Sequence, residues 1–241
     1  MRYCIAPSLA ALIVSAAFVA PAMAAPPSLT GMYVKEAIPD GAPKGRDNPP
    51  PLTPTARAAQ TRDRNITAAA GLLTATAHTK CLPPGMPGMM QPPFGLEFIE
   101  SPGRITVIAE VSNMPRTIYM NLKTHPEGVD PGWNGHSIGH WEGKTLIVDT
   151  VAFNGRTLNV SEKMHMVEKI WLDNAGKTLV DEITMDDPQT YTKPYTVTYR
   201  YTKLAPTEPL MEYYCEVEPA ALAALTAAEK AADAGTAQAA K

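Results

Sequence analysis

Tyr195–Thr202 reads Y-T-V-T-Y-R-Y-T, with Tyr195, Val197, Tyr199 and Tyr201 at one parity and Thr196, Thr198, Arg200 and Thr202 at the other. A period of two is the mark of a β-strand with one face on a core and the other in water. Along the chain, strand-like segments recur at Leu96–Glu100, Arg104–Val111, Arg116–Leu122, Lys144–Phe153, Lys163–Leu172, Thr178–Asp186 and Thr196–Lys203, with a last one at Leu210–Val217. Turn residues separate most of them: Gly103, the glycine-containing region 132–139, Asn154-Gly155, Asn174-Ala175-Gly176 and Asp187-Pro188. Consecutive strands joined mostly by tight turns predict a mainly β fold, an antiparallel up-and-down barrel, because a meander of this size closes on itself. Ser28–Ile38 is either a short first strand or a docked extended arm.

The segments flanking the strands read differently. Thr53-Pro54 supplies an N-cap and a proline at the first helical position, and the alanine-rich run to about Ala70 predicts a surface helix. Cys81–Phe94 is too rich in proline and glycine for regular structure. Its three methionines suit a loop packed over one end of the core, or a lid over a ligand entrance. Residues 1–24 have the form of a secretory signal peptide, with Arg2, an apolar run and Ala22-Met23-Ala24 as the cleavage site. Residues 25–52 form a Pro-rich extended segment, 53–218 the barrel domain with its helix and lid loop, and 219–241 an Ala-rich tail with no face to bury.

The formal net charge of −3 and the scattered basic residues argue against a nucleic-acid partner. Beyond the signal no apolar run approaches the roughly 20 residues of a membrane span, so no stable membrane anchor is expected. Cys4 leaves with the signal, and Cys81 and Cys215 then form a pair in an oxidising compartment, periplasmic or secreted, where a disulfide is the expected state. That bridge would tie the start of the domain to its last strand.

Functional side chains concentrate in Arg116–Phe153. Metal binding is disfavoured, because His136 and His140 on an extended segment lie about 13 Å apart. General acid–base chemistry is better served by His136, Asp149 and Glu168, taken as facing inward at the barrel mouth, with Arg116 to hold an anion. Each has a structural alternative: Asp149 capping the turn into Asn154 or pairing with Arg116, His136 donating to a backbone carbonyl, Glu168 bridged to Arg200. Tyr119, His125, Trp133, His140, Trp141, Glu142 and Thr150 complete the candidate ligand-binding set. The chain lacks a nucleophile elbow, a phosphate-binding glycine loop and a dinucleotide fingerprint, so no cofactor is expected.

Several stretches carry a resemblance: C-L-P-P-G-M-P at 81–87, R-T-I-Y-M at 116–120, G-H-S-I-G-H-W-E-G-K-T-L-I-V-D-T-V-A-F-N at 135–154, D-E-I-T-M-D-D-P at 181–188 followed by T-K-P-Y, and M-E-Y-Y-C-E at 211–216. Together they resemble a large family of exported bacterial proteins whose central motif is GHSIGRWEGDTLVVDT, a domain of unknown function that implies a lipocalin-like, calycin-type barrel. His136, Trp141, Glu142, Asp149, Thr150 and Glu168 match that pattern. The chain departs from it at His140 and Lys144, where the family has Arg and Asp, and at Asn121–Pro126, where D-G-R-x-H-P is usual. The combined expectation is an exported protein that holds a hydrophobic or aromatic molecule in a barrel mouth. A cofactor-independent lyase, isomerase or hydratase using the same pocket is the alternative, and a structural envelope role stands third.

Overall fold

Alternating side chains build the domain, and the computed structural model of the chain describes residues 25–37, 49–73, 76–112, 114–157 and 160–239. The signal-peptide reading lies outside these residues. Nine strands close into a barrel in sequence order: β1 Gly31–Lys35, β2 Gly95–Ser101, β3 Arg104–Ala109, β4 Arg116–Tyr119, β5 His136–Glu142, β6 Thr145–Val151, β7 His165–Asp173, β8 Thr178–Asp186 and β9 Tyr195–Lys203. Closure comes from β1 pairing with β9, Tyr33 opposite Lys203. Every neighbouring pair is antiparallel except β4 and β5, which run parallel, Ile118 beside Ser137. The barrel is therefore mixed at one seam, where the connection 120–135 crosses over.

Two sequence expectations need correction. Leu210–Val217 is not a strand, so Cys215 reaches its partner from irregular chain. The place is taken by β5, which the glycines at 135 and 139 disguised as turn. Gly139 faces inward, where an added Cβ would sit 2.8 Å from both Ile118 Cγ2 and Met120 Sδ, so any larger residue would have to displace these side chains beside the parallel seam. The strands expected around Arg104, Lys144, Lys163 and Thr178 are present within a residue or two at most ends, and β9 keeps its predicted facing, with Tyr201 fully buried and Arg200 exposed.

The core is apolar at its centre. Phe98, Val107, Ile118, Leu146, Val148, Met166 and Ile170 are completely buried along the inner faces. Met86, Met89 and Met90 of the Pro-rich loop are buried with them, so this loop packs over the core. A short helical turn at Gly85–Gly88 carries the buried Met86, and Tyr201 Oη donates to the Met90 carbonyl at 2.6 Å.

Helix α1 (Pro54–Ala69) starts as its sequence predicts: Thr53 Oγ1 accepts from the Ala56 N–H at 3.2 Å and Pro54 opens the helix. The Ala-rich tail departs from expectation. Pro219–Ala239 is a helix, here α2, whose Leu225 is fully buried, and which is held by Lys80 to Glu229 at 2.7 Å and by an ion pair of Arg62 with Asp233. Alanine gives a helix little amphipathic signature, but it lets two helices approach closely, which the hydropathy pattern conceals.

Cys81 and Cys215 form the expected disulfide, Cα to Cα 5.7 Å, outside the barrel wall. No helix among the described residues is long and apolar enough to cross a membrane. The bridge closes 134 residues, for which loop entropy gives about 4–5 kcal/mol before native-state strain. Replacing both cysteines by serine should lower urea-unfolding stability by up to about that amount, with the β-sheet circular dichroism intact before the transition; loss of the sheet signal in buffer would show that closure depends on the bridge.

Candidate functional site

Strands β5 and β6 carry chemistry on both faces, because their period of two sends neighbours to opposite sides. Ser137 and Thr150 are buried inside, and are cross-strand partners. Their sequence neighbours His136 and Asp149 take the outer face.

Inside, Arg116 of β4 is 1% exposed and forms a bidentate pair with Glu168 of β7, which is 0% exposed. Nη1 donates to Oε1 at 2.7 Å and Nη2 to Oε2. Ser137 Oγ accepts from Nε at 3.2 Å and from Nη2 at 3.1 Å, and Thr150 Oγ1 accepts from Nη2 at 3.1 Å. Glu168 is inward as predicted, but its partner is Arg116; Arg200 lies outside, bonded to Asp173 at 3.2 Å and Glu36 at 3.4 Å. Arg116 has its guanidinium satisfied by these partners, so the anion-holding role expected of it is filled from within the protein.

Asp181 of β8 joins this interior. Neither carboxyl oxygen has a hydrogen-bond partner, and the residue is completely buried. Burial first, and then the Glu168 charge, push its carboxyl well above the usual carboxylate range, against a smaller opposing pull from Arg116. Of the carboxyl groups here it is the one pushed toward its protonated form.

On the outer face the sequence-predicted residues converge in a continuous chain. His125, from the crossover connection, places Nε2 2.8 Å from Asp149 Oδ1 and Nδ1 2.8 Å from His136 Nδ1. His165, which the sequence reading did not single out, places Nε2 2.7 Å from Asp149 Oδ2. The Tyr119 ring stacks on His136, centroids 5.0 Å apart and 17° from parallel. The side chains of His125, Asp149 and His165 are 19%, 37% and 47% exposed, so the group is rooted in the surface and open to solvent. Gly135, at φ +65°, sets the entry to β5; a Cβ there would lie 2.6 Å from the Val151 carbonyl oxygen.

The expectation that Asp149 and His136 face inward is therefore corrected. Thr145–Val151 is apolar at both parities, so Leu146, Val148 and Thr150 could claim the core and leave Ile147 and Asp149 outside. Burial alone would raise the Asp149 carboxyl, but hydrogen bonds from His165 and His125, and their charges, outweigh it and hold it below its ordinary value. Burial, then His125, lowers the His136 imidazole. His125 and His165 thus brace a carboxylate, and His136 is biased toward its neutral, basic form.

The remaining predicted residues stand apart. His140 and Glu142 pair with each other at 3.2 Å on the exposed outer face. Trp141 packs inward against the core, and Trp133 lies in the crossover, its carbonyl accepting from the Met86 N–H at 3.1 Å. Among the described residues no group of three or more His, Cys, Asp or Glu is arranged to hold a metal ion. The signal for His165 was its parity: counted back from inward Met166 it faces out, toward the strand that carries Asp149. No family model and no curated protein matches the chain.

Two substitutions test the interior. Arg116→Leu leaves Glu168 buried beside a second carboxyl, and should cost about 3–5 kcal/mol in urea unfolding. Asp181→Asn removes a group whose folded pKa lies above its unfolded one. Such a group costs stability increasingly as pH rises from about 4, so the variant should gain on the wild type through that range; parallel pH profiles would show that Asp181 ionises normally.

Proposed function

We propose that this chain is an exported acid–base catalyst that moves a proton to or from a small organic molecule at its outer face, with His136 Nε2 as the working atom. The observation that carries the reading is the unbroken hydrogen-bond chain Asp149, His125, His136. In its resting form Asp149 accepts from His125 Nε2–H, His125 Nδ1 accepts from His136 Nδ1–H, and His136 Nε2 presents a lone pair. When Nε2 takes a proton from a substrate, the Nδ1 proton moves to His125, and the positive charge comes to rest beside the Asp149 carboxylate. The reverse movement delivers a proton, so one arrangement serves as base and acid in turn, as a lyase, isomerase or hydratase requires. Tyr119 offers a flat wall beside His136 for an unsaturated substrate.

Two further observations support this reading. His136 and Asp149 are positions at which the sequence resembles the exported family, and the Cys81–Cys215 bridge suits an oxidising compartment. The inner alternative, chemistry at Glu168, is less favoured because that carboxylate is sealed and already paired.

A carbon-acid probe, 5-nitrobenzisoxazole, tests the base directly: removal of its C3 proton breaks the N–O bond and releases a coloured phenolate. Because the neutral imidazole is the active form, the rate should rise with pH and level off above an apparent pKa lower than the ordinary imidazole value of 6.5. His136→Ala should abolish the enhancement, and Asp149→Asn should reduce it by roughly 10²-fold or more. Equal rates for wild type and His136→Ala at every pH would refute the assignment.

A further inference from the structure

Among the described residues, β1 pairs with β9 over Tyr33–Lys35. Lys35, its last residue, pairs with Tyr201, and the Glu36 N–H donates to the Arg200 carbonyl. The inward side chains of the first turn-proximal part of β9, Tyr195, Val197 and Tyr199, therefore border a cleft of about 320 Å³, closed from the other sides by Pro50, Pro87 and Met185. This volume sits at the lower end of the range for small-molecule sites. The surroundings are flat and polarisable. Tyr191 and Tyr195 rings lie 5.6 Å apart, and Tyr191 Oη donates to Met185 Sδ at 3.7 Å.

The edge of this cleft carries the Lys35 ammonium. Lys35 Nζ donates to the Gln91 carbonyl at 2.6 Å and stands 4.5 Å from the centre of the Tyr199 ring; Gln91 and Tyr199 both line the cleft. Among the described residues no carboxylate pairs with Lys35. Its neighbour Glu36 is engaged by Arg200, Thr178 and Thr202. Burial lowers the Lys35 ammonium from its ordinary value, as expected for a cation short of a partner. The Tyr199 hydroxyl is pushed up to about 12, by burial first and then by Tyr195 and Asp181, so it stays a neutral donor. An aromatic slot with one ammonium at its edge complements a planar acid.

We propose that this cleft binds a small aromatic carboxylate, its ring among Tyr195, Tyr199, Pro87 and Met185 and its carboxylate on Lys35. The site is distinct from the imidazole chain, which lies on the outer face of β5 to β7, and the two assignments stand or fall separately.

Calorimetric titration of the full chain with benzoate, and with benzyl alcohol as its uncharged counterpart, provides the test. Benzoate should bind more tightly than the alcohol. Lys35→Met should weaken benzoate by about tenfold or more while leaving the alcohol unchanged. Val197→Trp, which fills the cleft, should remove both, and His136→Ala should bind benzoate as the wild type does. The assignment is overturned if benzoate does not bind, if it binds Lys35→Met as well as wild type, or if a folded Val197→Trp protein retains it.

Discussion

The bidentate pair between Arg116 and Glu168 is the constraint on which the arrangement of this barrel depends. It joins β4 to β7, strands that are not neighbours in the sheet, and it recruits Ser137 from β5 and Thr150 from β6 on the way. A guanidinium and a carboxylate taken out of water are costly unless every donor and lone pair is met. That requirement fixes the relative positions of four consecutive strands more tightly than apolar packing would, because an aliphatic contact tolerates a shift that a hydrogen bond does not. Asp181, its carboxyl pushed up by burial and by Glu168 and its oxygens without hydrogen-bond partners, is the cost of placing a second carboxyl beside the pair.

The outer chemistry inherits its geometry from this inner network. Ser137 and Thr150 are held by Arg116, and the residues beside them in sequence, His136 and Asp149, emerge on the opposite face with their spacing already set. The parallel seam between β4 and β5 has a second consequence. Parallel neighbours cannot be joined by a hairpin, so the chain must make a long crossover, and that crossover brings His125 into the gap between His136 and Asp149. A purely antiparallel meander, as the strand count first suggested, would have had no such segment to supply the middle member of the chain. Preorganisation of this kind, with a carboxylate braced by two imidazoles, is what separates a positioned base from a surface histidine.

Much of this was legible in the sequence, and the failures have physical causes. Period-two alternation revealed β9 because its inner residues are large and apolar while its outer ones are polar. Strand β6 was located but its facing was misread, since Leu146 and Val148 on one side compete with Ile147 and Val151 on the other; the expected inward Asp149 is half-buried on the outer face, and Thr150 is buried inside. Strand β5 was hidden by glycine, which reads as turn but here permits close approach at the seam. Parity predicted Glu168 inside without naming Arg116 as its partner, because the two are 52 residues apart and separated by two strands. His165 and Asp181 were invisible as site residues for a related reason: their partners are set by strand register, which no local pattern specifies.

The central claim is that one shared proton links His136 to His125 and leaves His136 Nε2 as a base. Nitrogen-15 NMR of the histidine rings near neutral pH measures this directly. The expected spectrum has the His136 proton on Nδ1, bonded to His125, with a bare Nε2 and a titration below 6.5, and Asp149→Asn disturbs both rings. A His136 ring protonated on Nε2, titrating as an ordinary imidazole and indifferent to Asp149→Asn, would contradict it.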